Sequence, residues 1–382
     1  MEVYLDNAAT SHPKPEVVYQ AVEQTLRGIG GSPGRGGHTG ALQAERVVFQ
    51  AREELATLFG LPDSKNVIFT ANATEALNLA LKGLLRPGDH VLTSSMEHNS
   101  VLRPLKSLER KGVELTILPC QPDGSLDLSV LEAARRPNTR LLALIHASNV
   151  VGTLLPIRQA GTWARKQGIL FLVDASQTAG ALPLNVEADQ IDLLAAPGHK
   201  GLMGPQGTGF LYLRDGLDLQ PLTEGGTGSH SSLEEQPRHL PDRYQSGTLN
   251  TPGIAGLGAA VRFLLQEGLD RIRAHKQHLT ALALRGLAQI PGIILYGPQD
   301  PTRQAAVISL RLAGRDPAEV ATLLDQDHGI RTRVGLHCAP LAHRTLGTFP
   351  EGTLRLSFGY FTTEAEVNYC LQALAAIAKG SS

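Results

Sequence analysis

The stretch "APGHKGLMGP", Ala196 to Pro205, holds one lysine among glycines, prolines and apolar residues. It follows the apolar run "IDLLAA" (191–196), so Lys200 sits in a tight loop straight after a predicted strand. Upstream, "NVIFT" (66–70), "HVLT" (90–93), "VELTILP" (113–119), "RLLALIH" (140–146) and "ILFLVD" (169–174) also read as strands, and "GFLYL" (209–213) follows. Most are apolar runs rather than alternating ones. Between several of them lie segments with helical period, such as "TEALNLALKGLL" (74–85) and "RQAGTWARKQ" (158–167). A strand apolar on both faces needs cover on both, and helices between strands act as crossovers. The expected fold class is α/β, with a mostly parallel central sheet covered on both sides.

Outward from this sheet the pattern changes twice. Before it, residues 42–59 read as a helix whose stripe is Ala44, Val47, Val48, Ala51, Leu55 and Leu58. After about residue 250, "TPGIAGLGAAVRFLLQEG" opens a helix with Pro252 near its start, and a second helix runs to about Ile290. Strands "GIILYG" (292–297) and "AAVISLRL" (305–312), a helix near 317–326, strands near 330–334 and 353–357, and a last helix from Thr363 follow. This is the pattern of a smaller α+β domain. The expected division is a large domain over 15–255 and a small one over 256–382, with residues 1–14 packing near the latter. The segments 28–40 and 223–250 are long, Gly/Ser/Thr-rich loops, and such loops are often functional.

Composition narrows the function classes. The chain has 382 residues, 42% hydrophobic and 19% charged, with a formal net charge of −1. Nothing in that balance points to a nucleic-acid surface, so phosphate recognition would be local. No apolar run reaches membrane-spanning length, and the N-terminus lacks the basic-then-apolar pattern of a signal peptide. Three widely spaced cysteines, Cys120, Cys338 and Cys370, are a poor disulfide framework and suit the cytoplasm.

Lys200 and Asp174 each end a predicted parallel strand, where open α/β folds collect ligand groups. Each has a plain alternative: a solvated loop lysine, and a helix-capping aspartate. A cofactor that needs both an amine and a carboxylate is pyridoxal phosphate. It joins a lysine as a Schiff base, and a carboxylate keeps its ring nitrogen protonated. Its phosphate suits backbone N–H groups at a helix start, and "TANATEALNLA" supplies a strand, a polar turn and a helix beginning near Thr74.

With those elements in order, the sequence resembles the class V aminotransferase-type pyridoxal phosphate enzymes, specifically the short-loop cysteine desulfurase and selenocysteine lyase group. The likeness runs through "YLDNAAT" (4–10), "TEALN" (74–78), "MEHNS" (96–100), "HASNVVGT" (146–153), "VDASQTAG" (173–180) and "GHKGLMGPQGTG" (198–209). It continues through "SGTLNTPG" (246–253), "GLHCAP" (335–340) and "LRLSFGYFTTEAEV" (354–367). The resemblance implies fold type I of the pyridoxal phosphate-dependent transferases. It implies that Lys200 bonds the cofactor, Asp174 pairs with its ring nitrogen, Gln177 with its phenolic oxygen, and His98 stacks on the ring. Ala73, Thr74 and His199 would contact the phosphate, with Thr248 reaching it from a partner subunit in a homodimer. Asn149 would lie near cofactor and substrate carboxylate, Arg355 would grip that carboxylate, and Arg333 would line the same pocket. One position departs: Pro197 stands where family members often carry serine or alanine, and proline has no N–H to give. One phosphate contact is therefore expected to be absent or replaced.

Cys338 decides which chemistry runs on this platform. Cys120 ends an apolar strand and Cys370 lies on the terminal helix, so both read as small hydrophobes. Cys338 instead has Gly, His and Pro neighbours, with Arg333 and Arg344 close in sequence to favour a thiolate. The resemblance implies that it takes the substrate sulfur as a persulfide: Lys200 removes the Cα proton of L-cysteine, Cys338 takes the sulfur, L-alanine leaves, and His98 carries a proton. The persulfide acceptor stays open among an iron–sulfur scaffold, a tRNA-thiolation protein and a small thiol. Alternatives on the same fold are a cysteine or cystine β-lyase, a selenocysteine lyase and a non-catalytic cofactor-binding scaffold. A metal reading of His337, Cys338 and His343 matches no standard zinc spacing, and no metal is expected.

Overall fold

The computed structural model describes residues 2–34, 36–229 and 232–380. Its strands are β1 (Val3–Tyr4), β2 (Val67–Thr70), β3 (His90–Ser94), β4 (Glu114–Leu118), β5 (Thr139–Ile145), β6 (Leu170–Asp174), β7 (Leu193–Pro197) and β8 (Gly209–Leu213). Five more follow: β9 (Ile293–Tyr296), β10 (Val307–Leu312), β11 (Ile330–Arg331), β12 (Arg333–Gly335) and β13 (Thr353–Ser357). The seven runs from β2 to β8 form one sheet in the order β2-β8-β7-β6-β5-β3-β4. β2 through β7 share one direction, and β8 runs against its neighbours β2 and β7. The carboxyl ends of six strands therefore meet along one edge.

Alternate residues of this sheet enter two cores. Leu142, Leu144, Phe171, Val173, Leu194 and Ala196 face one, and Leu141, Ala143, Leu172, Leu193 and Ala195 face the other. Helices α1 (Glu16–Gly28), α2 (Thr39–Phe59), α3 (Ala73–Leu84) and α4 (Asn99–Glu109) come early in the chain. α3 and α4 cover the second core, through Leu77, Leu81, Val101 and Leu105. α2 covers the first through Val48, Ala51, Leu55 and Leu58, together with Leu257, Val261 and Leu264 of the helix Thr251–Glu267. The expected α/β class with a mostly parallel sheet covered on both faces is the observed one.

Several details of the elements differ from expectation. α2 starts at Thr39, three residues early, and Val47 of its stripe is only half-buried. α1 and α4 go beyond the expected helices; α4 carries Pro104 in its interior, a residue that argues locally against a helix. The run near 330–334 is split into β11 and β12. The expected division at 255/256 falls inside the helix Thr251–Glu267, whose apolar residues belong to the core under the large sheet.

The C-terminal part forms an antiparallel sheet in the order β12-β13-β10-β9 with its own core. The N-terminal segment joins it. β1 pairs parallel with β11, Asp6 bridges to Ser357, and Val3 and Leu5 enter that core. The same segment then turns to the large sheet, where Ser11 N–H donates to the His199 carbonyl (2.9 Å). It stitches β13 to the loop that carries Lys200.

Candidate active site

A pocket opens on the edge where the strands end. Asn72, Ala73 and Thr74 reach it after β2, Asn149 after β5, and Asp174, Ser176 and Gln177 from β6 and its turn. Pro197, His199 and Lys200 reach it from the end of β7, and His98 and Ser100 from the start of α4. Eight of the expected site residues thus line one cavity although they span 127 positions from Ala73 to Lys200.

Glycine is what lets the Lys200 loop fold so tightly. A Cβ on Gly201 would collide with the Ala179 carbonyl oxygen, and one on Gly180 with the Gly201 carbonyl. Gly180 also has φ +76°, which L side chains rarely adopt. The two backbones touch there. The loop closes through Gly204 N–H to the Gly198 carbonyl (2.7 Å), and Lys14 Nζ donates to the His199 carbonyl (2.9 Å). Burial drives the Lys200 amine down to about 8; Arg355 and Arg333 push the same way, against the pull of Asp174 and Cys338. A lysine so placed has a sizeable neutral fraction in mildly alkaline solution, the form that condenses with an aldehyde.

Asp174 is 2% exposed and accepts the Ser176 N–H at 2.9 Å. His98 caps α4: its Nδ1 accepts the Ser100 N–H (3.1 Å) and lies 2.9 Å from Ser100 Oγ. Capping and pocket lining are compatible here. Burial first, and the Lys200 charge second, push His98 down to about 4, so its ring is neutral near pH 7. With Nδ1 accepting, Nε2 carries the proton. Gln177 donates from its amide to the Ala8 carbonyl (3.1 Å), which leaves its second N–H.

Two arginines stand opposite each other on neighbouring strands: Arg333 of β12 pairs in register with Arg355 of β13. Like charges across a strand pair are unfavourable unless an anion lies between them. Arg355 is 1% exposed. Its Nη1 donates to the Asn149 carbonyl (2.9 Å), its Nη2 to Asp6 Oδ1 (2.6 Å), and its Nε has no partner among the described residues. Arg333 Nη2 lies 4.0 Å from Cys338 Sγ. Arg344, the other arginine expected near the thiol, stacks its guanidinium on Phe349 at 4.4 Å.

The loop bearing Cys338 is strained and pinned. His337 and Cys338 have φ of +48° and +59°, a left-handed conformation that costs energy in non-glycine residues. Asn149 Nδ2 donates to the His337 carbonyl (2.6 Å), and the Asn99 N–H to the Cys338 carbonyl (2.8 Å). The Cys338 side chain is exposed at the pocket mouth. His337 is buried, its Nε2 3.2 Å from the Thr353 carbonyl. Among the described residues no group of three or more His, Cys, Asp or Glu could hold a metal ion. Cys370 lies in the C-terminal core, where burial pushes its thiol up to about 12; Cys120 is half-buried.

Several residues here had no individual reading from sequence. Asp6 accepts from Arg355, Lys14 donates to the His199 carbonyl, Glu97 accepts from the N–H of pocket-lining Ile145, and Ser100 and Ser176 line the pocket with Pro197. Asp6, Glu97, Ser100 and Ser176 lie inside motifs that were legible. Thr248 is exposed and outside the pocket.

The pocket's polar groups fit pyridoxal phosphate. Lys200 offers the amine and Asp174 the buried carboxylate. The first turn of α3 offers N–H groups that have no partner within the helix. Buried His199 Nδ1, Asn149 Oδ1 and Arg355 Nε lack partners among the described residues. Residues 3–370 match the model of the family described as aminotransferase class-V. The chain is 35% identical to a probable cysteine desulfurase of Methanothermobacter thermautotrophicus, over 98% of this chain and 94% of that protein. It is 35% identical to a cysteine desulfurase of Salmonella agona, over 98% and 93%. Among solved structures, the apo cysteine desulfurase of Thermococcus onnurineus superposes with a TM-score of 0.92 at 33% identity, covering 99% of this chain and 95% of that one. A cysteine desulfurase of Escherichia coli gives 0.88 at 30% identity, covering 100% and 96%. With a mostly parallel sheet of this order, the pocket at its carboxyl edge and likeness over almost its whole length, the chain belongs to the class-V aminotransferase family, whose members share the pyridoxal phosphate-dependent type I fold.

Proposed function

We propose that this enzyme is a pyridoxal phosphate-dependent cysteine desulfurase, which converts L-cysteine to L-alanine and takes the sulfur onto Cys338 as a persulfide. The observation that carries the reading is the exposed Cys338 thiol at the mouth of the lysine pocket, 4.0 Å from an arginine that faces Arg355. A β-elimination would need no such thiol. Likeness to proteins named cysteine desulfurase supports it.

Lys200, Asp174, Gln177, Ala73, Thr74 and His199 would hold the cofactor. When bound, it supplies an electron sink for negative charge at the substrate Cα. The chain's own groups do the rest. Arg355 binds the substrate carboxylate through its planar fork, oriented by Asp6 and Asn149, with Arg333 beside it. Lys200 takes the Cα proton, and neutral His98 delivers a proton from Nε2. Cys338 thiolate takes the sulfur. Asn149 holds both the His337 carbonyl and, through its own carbonyl, Arg355, so it couples the thiol loop to the carboxylate site.

The working unit in this proposal is a homodimer, in which Thr248 of the partner subunit completes the phosphate site. Support comes from the exposure of Tyr19 and Leu26, which share one side of α1, and of Leu42 and Phe49, which share one side of α2, large apolar side chains left in solvent. The free, sparse cysteines suit a reducing compartment, and we place the protein in the cytoplasm. Among the described residues no helix is long and apolar enough to cross a membrane. The test is the organic product formed from L-cysteine by cofactor-loaded protein with a reductant. Alanine with sulfide is expected. Pyruvate with ammonia would replace this reading by β-elimination.

A further inference from the structure

Outside the lysine pocket, and continuous with it through Thr74, His98 and Ser100, a groove runs between α3 and α4 to Cys338. One wall is Thr74, Asn78 and Lys82, four residues apart on α3 and hence on one face. The other is Ser100, Arg103, Pro104 and Ser107 on α4. At 1.5 Å per residue the α3 wall is about 12 Å long. Its lining contains no acidic residue. Lys82 and Arg103 are exposed, and neither has an acidic partner within ion-pair distance among the described residues. Hydroxyl and amide groups fill the space between them. The Cys338 loop cannot swing outward to a distant acceptor without losing the Asn99 and Asn149 bonds to its carbonyls. Whatever relieves Cys338 of sulfur must come to it.

We propose that this groove binds the sulfur acceptor, and that the acceptor is a small thiol bearing carboxylates, its charge held by Lys82 and Arg103 and its sulfur directed at Cys338. The inference rests on Cys338 carrying a persulfide. In the transfer, the acceptor thiolate attacks the outer sulfur of the Cys338 persulfide. A new S–S bond forms in the acceptor and the bond to Cys338 Sγ breaks. Its electron pair leaves on Sγ as a thiolate, and the proton stays on the transferred sulfur. No external oxidant or reductant is consumed. A wall of about 12 Å with a cation from each helix matches the size and charge of a compact anionic thiol.

Two measurements on the cofactor-loaded protein separate this inference from the reading beneath it. The first is Cys338 alkylation by iodoacetate against iodoacetamide, followed by peptide mapping. The groove predicts an iodoacetate preference that added salt weakens and Lys82→Gln/Arg103→Gln lowers severalfold, the remainder belonging to Arg333 beside the thiol. Equal salt response in the wild type and the double variant overturns it. The second loads Cys338 with sulfur from L-cysteine, read as a mass gain of one sulfur atom. The persulfide is then discharged with mercaptosuccinate, 2-mercaptoethanol or cysteamine at matched thiolate concentration. Mercaptosuccinate should act about tenfold faster, the lower end of electrostatic steering, and saturably. The double variant should load normally and lose most of that preference. Normal loading without preference overturns the small-anion acceptor and leaves an acidic protein segment as occupant. Failure to load Cys338 at all overturns the desulfurase reading itself, and the transfer with it, whatever the alkylation shows.

Discussion

Single side chains carry the sharpest consequences. Cys338 lies at the mouth but not in the lining of the lysine pocket. Cys338→Ala should therefore keep the visible spectrum of bound cofactor while alanine formation falls at least about a hundredfold. A variant that still acquires protein-bound sulfur would exclude Cys338 as the acceptor. Arg355 already spends two of its N–H groups on Asp6 and the Asn149 carbonyl. Lysine keeps the charge but cannot serve those acceptors and a substrate carboxylate in one plane. Arg355→Lys should raise KM for L-cysteine about tenfold or more, with cofactor affinity little changed; an unchanged KM would move the carboxylate site elsewhere. At this scale the motifs were legible, because the chemistry needs particular functional groups. What sequence withheld was partnership. Arg344 and Arg333 are both close to Cys338 along the chain, yet one stacks on Phe349 and the other faces the thiol.

At the scale of elements, the site depends on loops that can take only one shape. The Gly201 and Gly180 backbones are in contact, so any side chain at Gly201 must displace the Ala179 carbonyl. Gly201→Ala should cost about 1–3 kcal/mol of stability, the usual range for overpacking. It should also reduce cofactor occupancy, because it moves the peptide next to Lys200. A denaturant midpoint and the visible absorbance measure the two; wild-type values for both would show that the loop has slack. The strands of the large sheet were legible as continuous apolar runs, since a strand buried on both faces has no polar side to hide. α4 was not, because Pro104 contradicts it locally and only packing through Val101, Leu105 and Leu108 on the sheet overrides that signal.

For the whole molecule, buried titratable groups set the pH response. Burial pushes His146, His98, His199 and His343 down to about 4, and His337 to about 2. Each is neutral in the fold and charged in the unfolded chain below about 6.5. The unfolded state then binds more protons, so stability falls on acidification through that window. Glu97 acts the other way. It is fully buried, accepts from Ser94 Oγ (2.6 Å) and the Ile145 N–H (2.9 Å), and burial pushes its carboxyl up to about 8. The fold holds a proton there that the unfolded chain releases above its ordinary carboxyl range, so this contribution is lost as pH rises towards 8. Lys200, Lys276 and Lys14, each pushed down to about 8 by burial, hold fewer protons in the fold than in the unfolded chain as pH nears 8 and offset the Glu97 loss, so urea midpoints should rise from pH 5 to about 7 and then change little towards 8. Glu97→Gln should make the midpoints rise more steeply between pH 5 and 8 and leave the histidine contribution in place; an unchanged pH slope would show that Glu97 holds no proton in the fold. The sequence by itself determined the layered α/β plan, the lysine and carboxylate at strand ends, and the cysteine set apart from any apolar face. Those follow from hydrophobic period and functional-group chemistry, which are local. Only the tertiary structure decided that Asp6 braces Arg355 and that Asn149 ties the cysteine loop to it. The same holds for Arg333 standing opposite Arg355 and for the cationic groove that α3 and α4 lay beside Cys338. Such pairings join residues up to 349 positions apart, and nothing in the local chain records which distant partner a buried charge will meet.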